Sequence, residues 1–398
     1  MMNTVLKNTP VMKRFSDVAR IVTGKTPATS NRLFFGGHIP FVTPGDLDGG
    51  SPIVVTKTQL TEEGAGEVNQ LPEGSVLVSC IGSLGKIGIA GVNVCTNQQI
   101  NALVFDTTLV EPRYGYHFCK TLKPYLEGIA PATTLPIINK SRFSEIEMPL
   151  PPLTEQRRIA SILDKADALR TKRRETIVKL DQLLQSVFLE MFGDPVTNPK
   201  GWPETDFLGD VADICSGITK GRRTTEKTRD IPYLAVANVQ DRHLKLDSVK
   251  TICATDVEIE RYRLAVNDLL LTEGGDPDKL GRGALWDGSI AECIHQNHIF
   301  RVRITSKTIN PVFLNRLVGS ARGKRYFLSV SKQTTGIASI NMKQLKKFPL
   351  LTPPLELQMC FAAAVSKIEA HQRKLEKAEA YAEQLFQSLQ QQSFTEKL

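Results

Sequence analysis

No stretch of this chain approaches 18 consecutive apolar residues, and its opening residues, MMNTVLKNTP, contain no hydrophobic segment of the kind that directs export. Neither a membrane span nor a secretory signal is expected, and a cytoplasmic protein is. The seven cysteines are odd in number, scattered and never spaced as C-x-x-C, which argues against a disulfide framework and against a zinc site. Catalytic signatures are missing as well. Lys86 in GSLGKI is followed by Ile, and the glycine spacing is wrong for a phosphate-binding loop. No glycine-rich turn carries the dinucleotide pattern. The two proline pairs stand in LPPL and TPPL, without the flanking polar and aromatic residues that an amino-methyltransferase needs. His295 and His298 lie three apart with no third metal ligand at workable spacing, and no pair of carboxylates is marked out for acid–base work.

What the chain does contain is one long helical stretch, present twice. Pro151–Pro195 opens on a proline pair, where a helix loses no N–H partner. It holds no Pro or Gly until Gly193 and closes on Gly-Asp-Pro. Ile159, Ile162, Ala166, Leu169, Arg173, Thr176, Leu180, Leu183 and Val187 recur at steps of three and four, a heptad seam with polar interruptions. At 1.5 Å per residue the helix is a rod of roughly 60 Å, longer than the diameter of a domain of about 150 residues. From Pro353 the pattern returns: PPLELQ answers PPLTEQ, and QLFQS answers QLLQS. The second seam falls on Phe361, Ala364, Ile368, His371, Leu375, Ala378, Ala382, Leu385 and Leu389. A seam of this length needs a partner helix, and an antiparallel pairing of the two copies supplies it.

The duplication extends upstream of the rods. Ile39–Val42 (IPFV) matches Ile231–Leu234 (IPYL), LPEGSVLVS matches LAVNDLLLT, and Asn97–Ile100 (NQQI) matches Gln296–Ile299 (QNHI). The expected organisation is a mixed α/β unit over 1–150, a rod over 151–195, a linker over 196–202, a second unit over 203–352 and a second rod over 353–398. Phe15–Val22 reads as a short amphipathic element, and Tyr114–Leu126 and Asn315–Leu328 read as helices. Trp202, in the linker, is expected to anchor the second unit. Residues 203–350 carry 23 Lys and Arg against 17 Asp and Glu, whereas residues 1–150 carry 13 against 12. Most of the net charge of +8 therefore lies in the second unit.

Polar loops are the candidate functional surface, because Lys and Arg suit guanine and phosphate, Asn and Gln suit adenine, and Ser and Thr suit either. In the first unit these residues are Lys25, Ser30, Asn31, Arg32, Ser83, Lys86, Asn97, Gln98, Lys140 and Arg142. In the second they are Lys220, Arg222, Arg223, Thr224, Lys279, Arg282, His295, Gln296, Asn297, Lys332 and Gln333. A solvated loop residue is the plain alternative for each. For Asn97 and Gln98 it is a buried amide closing a turn. Capping and DNA contact fit Thr133, Thr134, Thr334 and Thr335 equally.

Two divergent units, each followed by a helix opened by PPL-x-x-Q, with Phe-Gly-Asp-Pro ending the first rod and Gly-Trp-Pro entering the second unit, resemble the specificity (S) subunits of type I restriction-modification systems. The resemblance implies an α+β chain of two duplicated target recognition domains. Two long antiparallel coiled-coil helices separate them about a pseudo-twofold axis. Each domain then reads one half of a bipartite double-stranded DNA target, and the helices set the gap and dock two methyltransferase subunits. Restriction subunits, two where present, complete the nuclease. S-adenosylmethionine, ATP and Mg belong to those partners, and the chain itself is expected to bind no cofactor or metal and to catalyse nothing. The competing readings are a self-contained DNA methyltransferase or nuclease, and a coiled-coil scaffold that binds proteins and no DNA.

Overall fold

The computed structural model describes residues 11–131, 135–221, 225–276, 279–334 and 337–394. Both rods are present as continuous helices, Leu153–Phe192 and Leu355–Phe394. The first stops where Gly193 adopts a φ of +78°, a left-handed turn that suits glycine. Its last carbonyls are then occupied: Lys200 Nζ donates to Glu190 O and Met191 O, and Trp202 Nε1 donates to Phe192 O at 2.7 Å. Trp202 also packs on the core of the second unit, as expected of the linker.

The structure explains the PPL-x-x-Q signature. Gln156 is fully buried, accepts from Glu111 N and donates to Leu109 O and Pro151 O. Gln358 makes the same three bonds, with Asn310 N, Thr308 O and Pro353 O. Each glutamine thus satisfies backbone groups of a loop in the preceding module that burial would otherwise leave unpaired, at a cost of about 1–3 kcal/mol per group. The motif is a structural lock.

The chain divides into two compact units that differ from the expected boundaries. One is Met1–Ile177 together with Leu375–Leu398, and the other is Val178–Lys374. Each globular module therefore takes in half of its own rod and half of the other.

In the first unit, an antiparallel sheet runs in the order Ala19–Thr23, Ile100–Phe105, Val76–Ser79, Ile87–Ile89. In a second sheet, Phe35–Val42 lies parallel to Val94–Thr96. The apolar alternation of Phe15–Val22 resolves into one helical turn, Phe15–Val18, followed by the edge strand. The expected helix over Tyr114–Leu126 is two, Pro112–Cys119 and Lys123–Ile129. The core joins Phe15, Val78, Leu103, Tyr114 and Phe143 to Ile159 and Leu163 of the first rod and Phe386 of the second. Polar contacts reinforce this docking. Arg113 and His117 both bond Asp164, and Lys120 bonds Asp167. Burial alone would raise the Asp164 carboxyl, but the bonds from His117 and Arg113 outweigh it and hold the pKa at about 2.

The second unit repeats the scheme. Its antiparallel sheet runs Ala212–Ser216, Ile299–Ile304, Leu269–Thr272, Gly283–Leu285, and Arg229–Leu234 lies parallel to Ile294–His295. The expected helix over Asn315–Leu328 is again two, Pro311–Val318 and Ala321–Val330. Leu269, Val302, Phe313 and Phe327 pack with Leu184, Phe188 and Phe192 of the first rod and Phe361 and Val365 of the second.

Within each unit the two rods run antiparallel. Arg170 pairs with Glu383 and Arg174 with Glu379 in the first unit. In the second, Asp181 accepts from Gln372, while Phe188 and Phe192 meet Phe361. The seam itself corrects the expected one. Ile159 and Phe361 are buried and Ala166, Leu180, Val187, Ala364, Ile368, Leu375, Ala382 and Leu389 half-buried. Ile162, Leu169, Leu183 and Leu385 are instead exposed, at 39%, 55%, 46% and 61%. The inward line lies one residue further on, through Leu163, Arg170, Ile177 and Leu184, with Phe386 in place of Leu385. Arg170 can occupy that line because Glu383 and Asp167 meet its charge and its guanidinium lies 4.3 Å from the Phe386 ring centroid.

Candidate nucleic-acid interface

In the first module four segments converge on one surface. Gly24 N and Lys25 N donate to Ile100 O and Thr96 O, tying the loop after the edge strand to the NQQI turn. Cys80 N donates to Gln99 O, and Ile138 N donates to Cys80 O. The second module is stitched in the same way. Ile218 N donates to His295 O, Asn297 N to Ile218 O, Glu273 N to His298 O and Ile340 N to Glu273 O. Glycine is required at the first crossing in both, since a Cβ on Gly24 would stand 2.1 Å from Asn97 O and one on Gly217 1.9 Å from His295 O.

Several of the candidate residues lie on or beside these surfaces. Lys25 is exposed, with Nζ donating to Glu67 O, and exposed Gln98 accepts from Thr26 Oγ1 at 2.6 Å. Ser83, Lys140 and Arg142 are exposed, with Arg142 donating to Ile129 O. Lys220 is exposed and lies 5.2 Å from the Tyr233 ring centroid. Gln296 and Asn297 are half-buried, while Lys332 and Gln333 are exposed on the hairpin formed by Lys332–Thr334 and Ile337–Ser339.

Other candidates have local duties. Asn31 caps a short turn by accepting from Leu33 N, beside exposed Ser30 and Arg32. Lys86 is half-buried and reaches Pro44 O; Lys279 pairs with Asp276, and Arg282 donates to Gln240 Oε1. Arg222, Arg223, Thr224, Thr133, Thr134 and Thr335 lie outside the described residues, as does the side chain of Thr334.

Two candidates need correction. Asn97 is buried: its Oδ1 accepts from Gln99 N and its Nδ2 donates to Gln99 Oε1, so it closes the turn and presents nothing to a ligand. His295 is fully buried, with Nδ1 donating to Tyr262 O. Burial pushes its pKa down to about 4 from 6.5. Between those values the unfolded chain holds a proton that the folded chain refuses, so stability is full above pH 6.5 and declines as pH falls toward 4. The decline is expected to reach on the order of 3 kcal/mol. Urea unfolding at pH 7 and pH 5 checks it, and His295→Gln should shrink the difference. Thr26, Gln99 and Glu273 lie outside the sequence candidates and become visible only once the repeats are superposed by their backbone bonds. Among the described residues, no group of three or more His, Cys, Asp or Glu side chains is placed to hold a metal ion. No helix among them is long and apolar enough to cross a membrane.

The family model for the type I restriction modification DNA specificity domain matches residues 9–179 and again 199–383. The type I restriction enzyme MjaIX specificity subunit of Methanocaldococcus jannaschii is 28% identical over 267 residues, covering 61% of this chain and 59% of that protein. This match thus spans less than two thirds of the relative's length. The StySPI specificity subunit of Salmonella potsdam is 24% identical over 91% of this chain and 82% of its own. Among solved structures, a type I restriction-modification S subunit from M. genitalium shares the fold with a TM-score of 0.61, at 14% identity and 98% coverage of both chains.

Proposed function

The chain belongs to the type I restriction modification DNA specificity family, and from that premise we propose that it supplies sequence recognition to a restriction-modification complex, each module reading one half of a two-part DNA target. The observation that carries this reading is the repeated surface. The same backbone bonds hold four segments together in both modules, yet the side chains on them differ: Lys25, Gln98 and Ser83 in one, Lys220, Asn297 and Lys332 in the other. A shared frame with exchanged polar side chains suits two readers of unlike sequences. The excess of basic residues over 203–350 adds attraction to phosphate.

On this reading the chain transfers no methyl group and cuts no DNA. Two methyltransferase subunits, using S-adenosylmethionine, dock against the rods, where Ile162, Leu169, Leu183 and Leu385 stand exposed. Restriction subunits bring the ATP- and Mg-dependent steps. The test is a genome-wide map of N6-methyladenine in cells that co-express the chain with its methyltransferase. The expected result is a two-part motif with a fixed gap, of which one half changes when residues 1–150 are exchanged for those of a relative. Methylation independent of the chain, together with DNA binding insensitive to salt, would instead make it a protein scaffold.

A further inference from the structure

In the second module a carboxylate stands on the candidate DNA face. Glu273 Oε2 accepts from His298 Nδ1 at 2.6 Å, with the Glu273 and His298 side chains 35% and 57% exposed. Both residues are held by their backbones, since Glu273 N donates to His298 O and Ile340 N to Glu273 O. Gly274 and Gly275 follow immediately and bring no side chain of their own to that part of the strand. The first module has the same backbone bonds at the equivalent positions but opposite chemistry. Cys80, 2% exposed, replaces Glu273, and Gln99, bonded to Asn97, replaces His298. The frame is common to both modules and the side chains at its centre are not.

We propose that Glu273, oriented by His298, is a specificity-determining residue that accepts a hydrogen bond from the N4 amino group of a cytosine in the half-sequence read by the second module. Phosphates repel a carboxylate, so this group is no backbone contact. Guanine offers only acceptors, N7 and O6, on its major-groove edge, and thymine offers O4 and a methyl group. Adenine has a donor at N6, but its N7 lone pair lies beside it and opposes a second carboxylate oxygen. Cytosine alone presents a donor without that penalty. His298, as the donor to the other side of the carboxylate, fixes its direction.

The inference rests on the DNA-reading function proposed above, and its test separates the two. Wild type, Glu273→Gln and Glu273→Asp are each co-expressed with the methyltransferase, and methylation is scored by base at every position of both half-sequences. In Glu273→Gln the amide can donate to adenine N7 and accept from N6, so preference at one position of the second half is expected to move from cytosine toward adenine by about tenfold. Glu273→Asp, its charge withdrawn by one methylene, is expected to lower methylation of the wild-type sequence without moving the preference. The first half stays unchanged in both. Unaltered preferences in both variants, or a uniform loss over all sequences in both, would assign the pair to holding loops together and overturn the proposal. Failure of the wild-type chain to direct any two-part motif would overturn the function itself.

Discussion

Phe361→Ala is expected to destabilise the Val178–Lys374 unit by about 3–5 kcal/mol, the range for truncating a fully buried aromatic. Phe361 is 0% exposed and meets Phe188 and Phe192 edge-on, with ring centroids at 5.5 and 5.4 Å. Those two rings also pack on Phe313, at 6.0 and 4.7 Å. One side chain therefore links the second rod to the first and, through it, to the module helix Pro311–Val318. Its removal leaves a cavity and breaks edge-to-face contacts worth about 0.5–1.5 kcal/mol each beyond their area. Urea unfolding should show the loss. Met359→Ala, two residues away but 57% exposed, should change stability by less than about 0.5 kcal/mol. A cycle with Phe192→Ala should give a coupling above about 0.5 kcal/mol, as for residues in contact.

The second large effect concerns spacing. Adding one heptad to each rod, after Thr176 in the first and after Lys374 in the second, preserves the seam and lengthens the pair by about 10 Å. At 3.4 Å per base pair this corresponds to roughly three base pairs. The methylated motif is expected to gain a gap of about that size, with both half-sequences unchanged. Three base pairs also carry one half-sequence about a third of a turn round the duplex, so affinity should fall unless the DNA twists to compensate. A motif altered within either half would refute the rods as the spacing device.

The sequence disclosed the duplication and the rods because both follow from patterns over dozens of residues, and the antiparallel pairing because two copies of one helix in a single chain suit a pseudo-twofold axis. It misplaced one line of the seam in the first rod, Ile162, Leu169 and Leu183, by one residue, and at Leu169 the cause is charge: apolarity favours Leu169, yet Arg170 beside it is the one turned inward. Only the carboxylates of Glu383 and Asp167, the first of them more than 200 positions away, make Arg170 acceptable there. The first expected helix breaks at Pro124, which stands in the first turn of Lys123–Ile129 and lacks the N–H that a continuous helix would need. The candidate interface was legible as segments and less so as residues. Asn97 and His295 have the chemistry of readers, but their neighbours close over them; Glu273 carries the sign of charge that DNA repels, and its place on the repeated frame follows only from the backbone bonds.

The division of the chain into Val178–Lys374 and a unit made of Met1–Ile177 with Leu375–Leu398 also has a temporal meaning. The second unit is continuous in sequence and is inserted within the first. During synthesis, the N-terminal module leaves the ribosome with its core unfinished, because Phe386, Leu389 and Phe394 belong to that core and Phe394 packs on Tyr114 and Phe118. Leu375 follows Ile177 by roughly 200 residues, about 10–40 s of translation at ordinary rates. For that interval the nascent chain carries an apolar slot awaiting its own far end. The module made first is the one closed last.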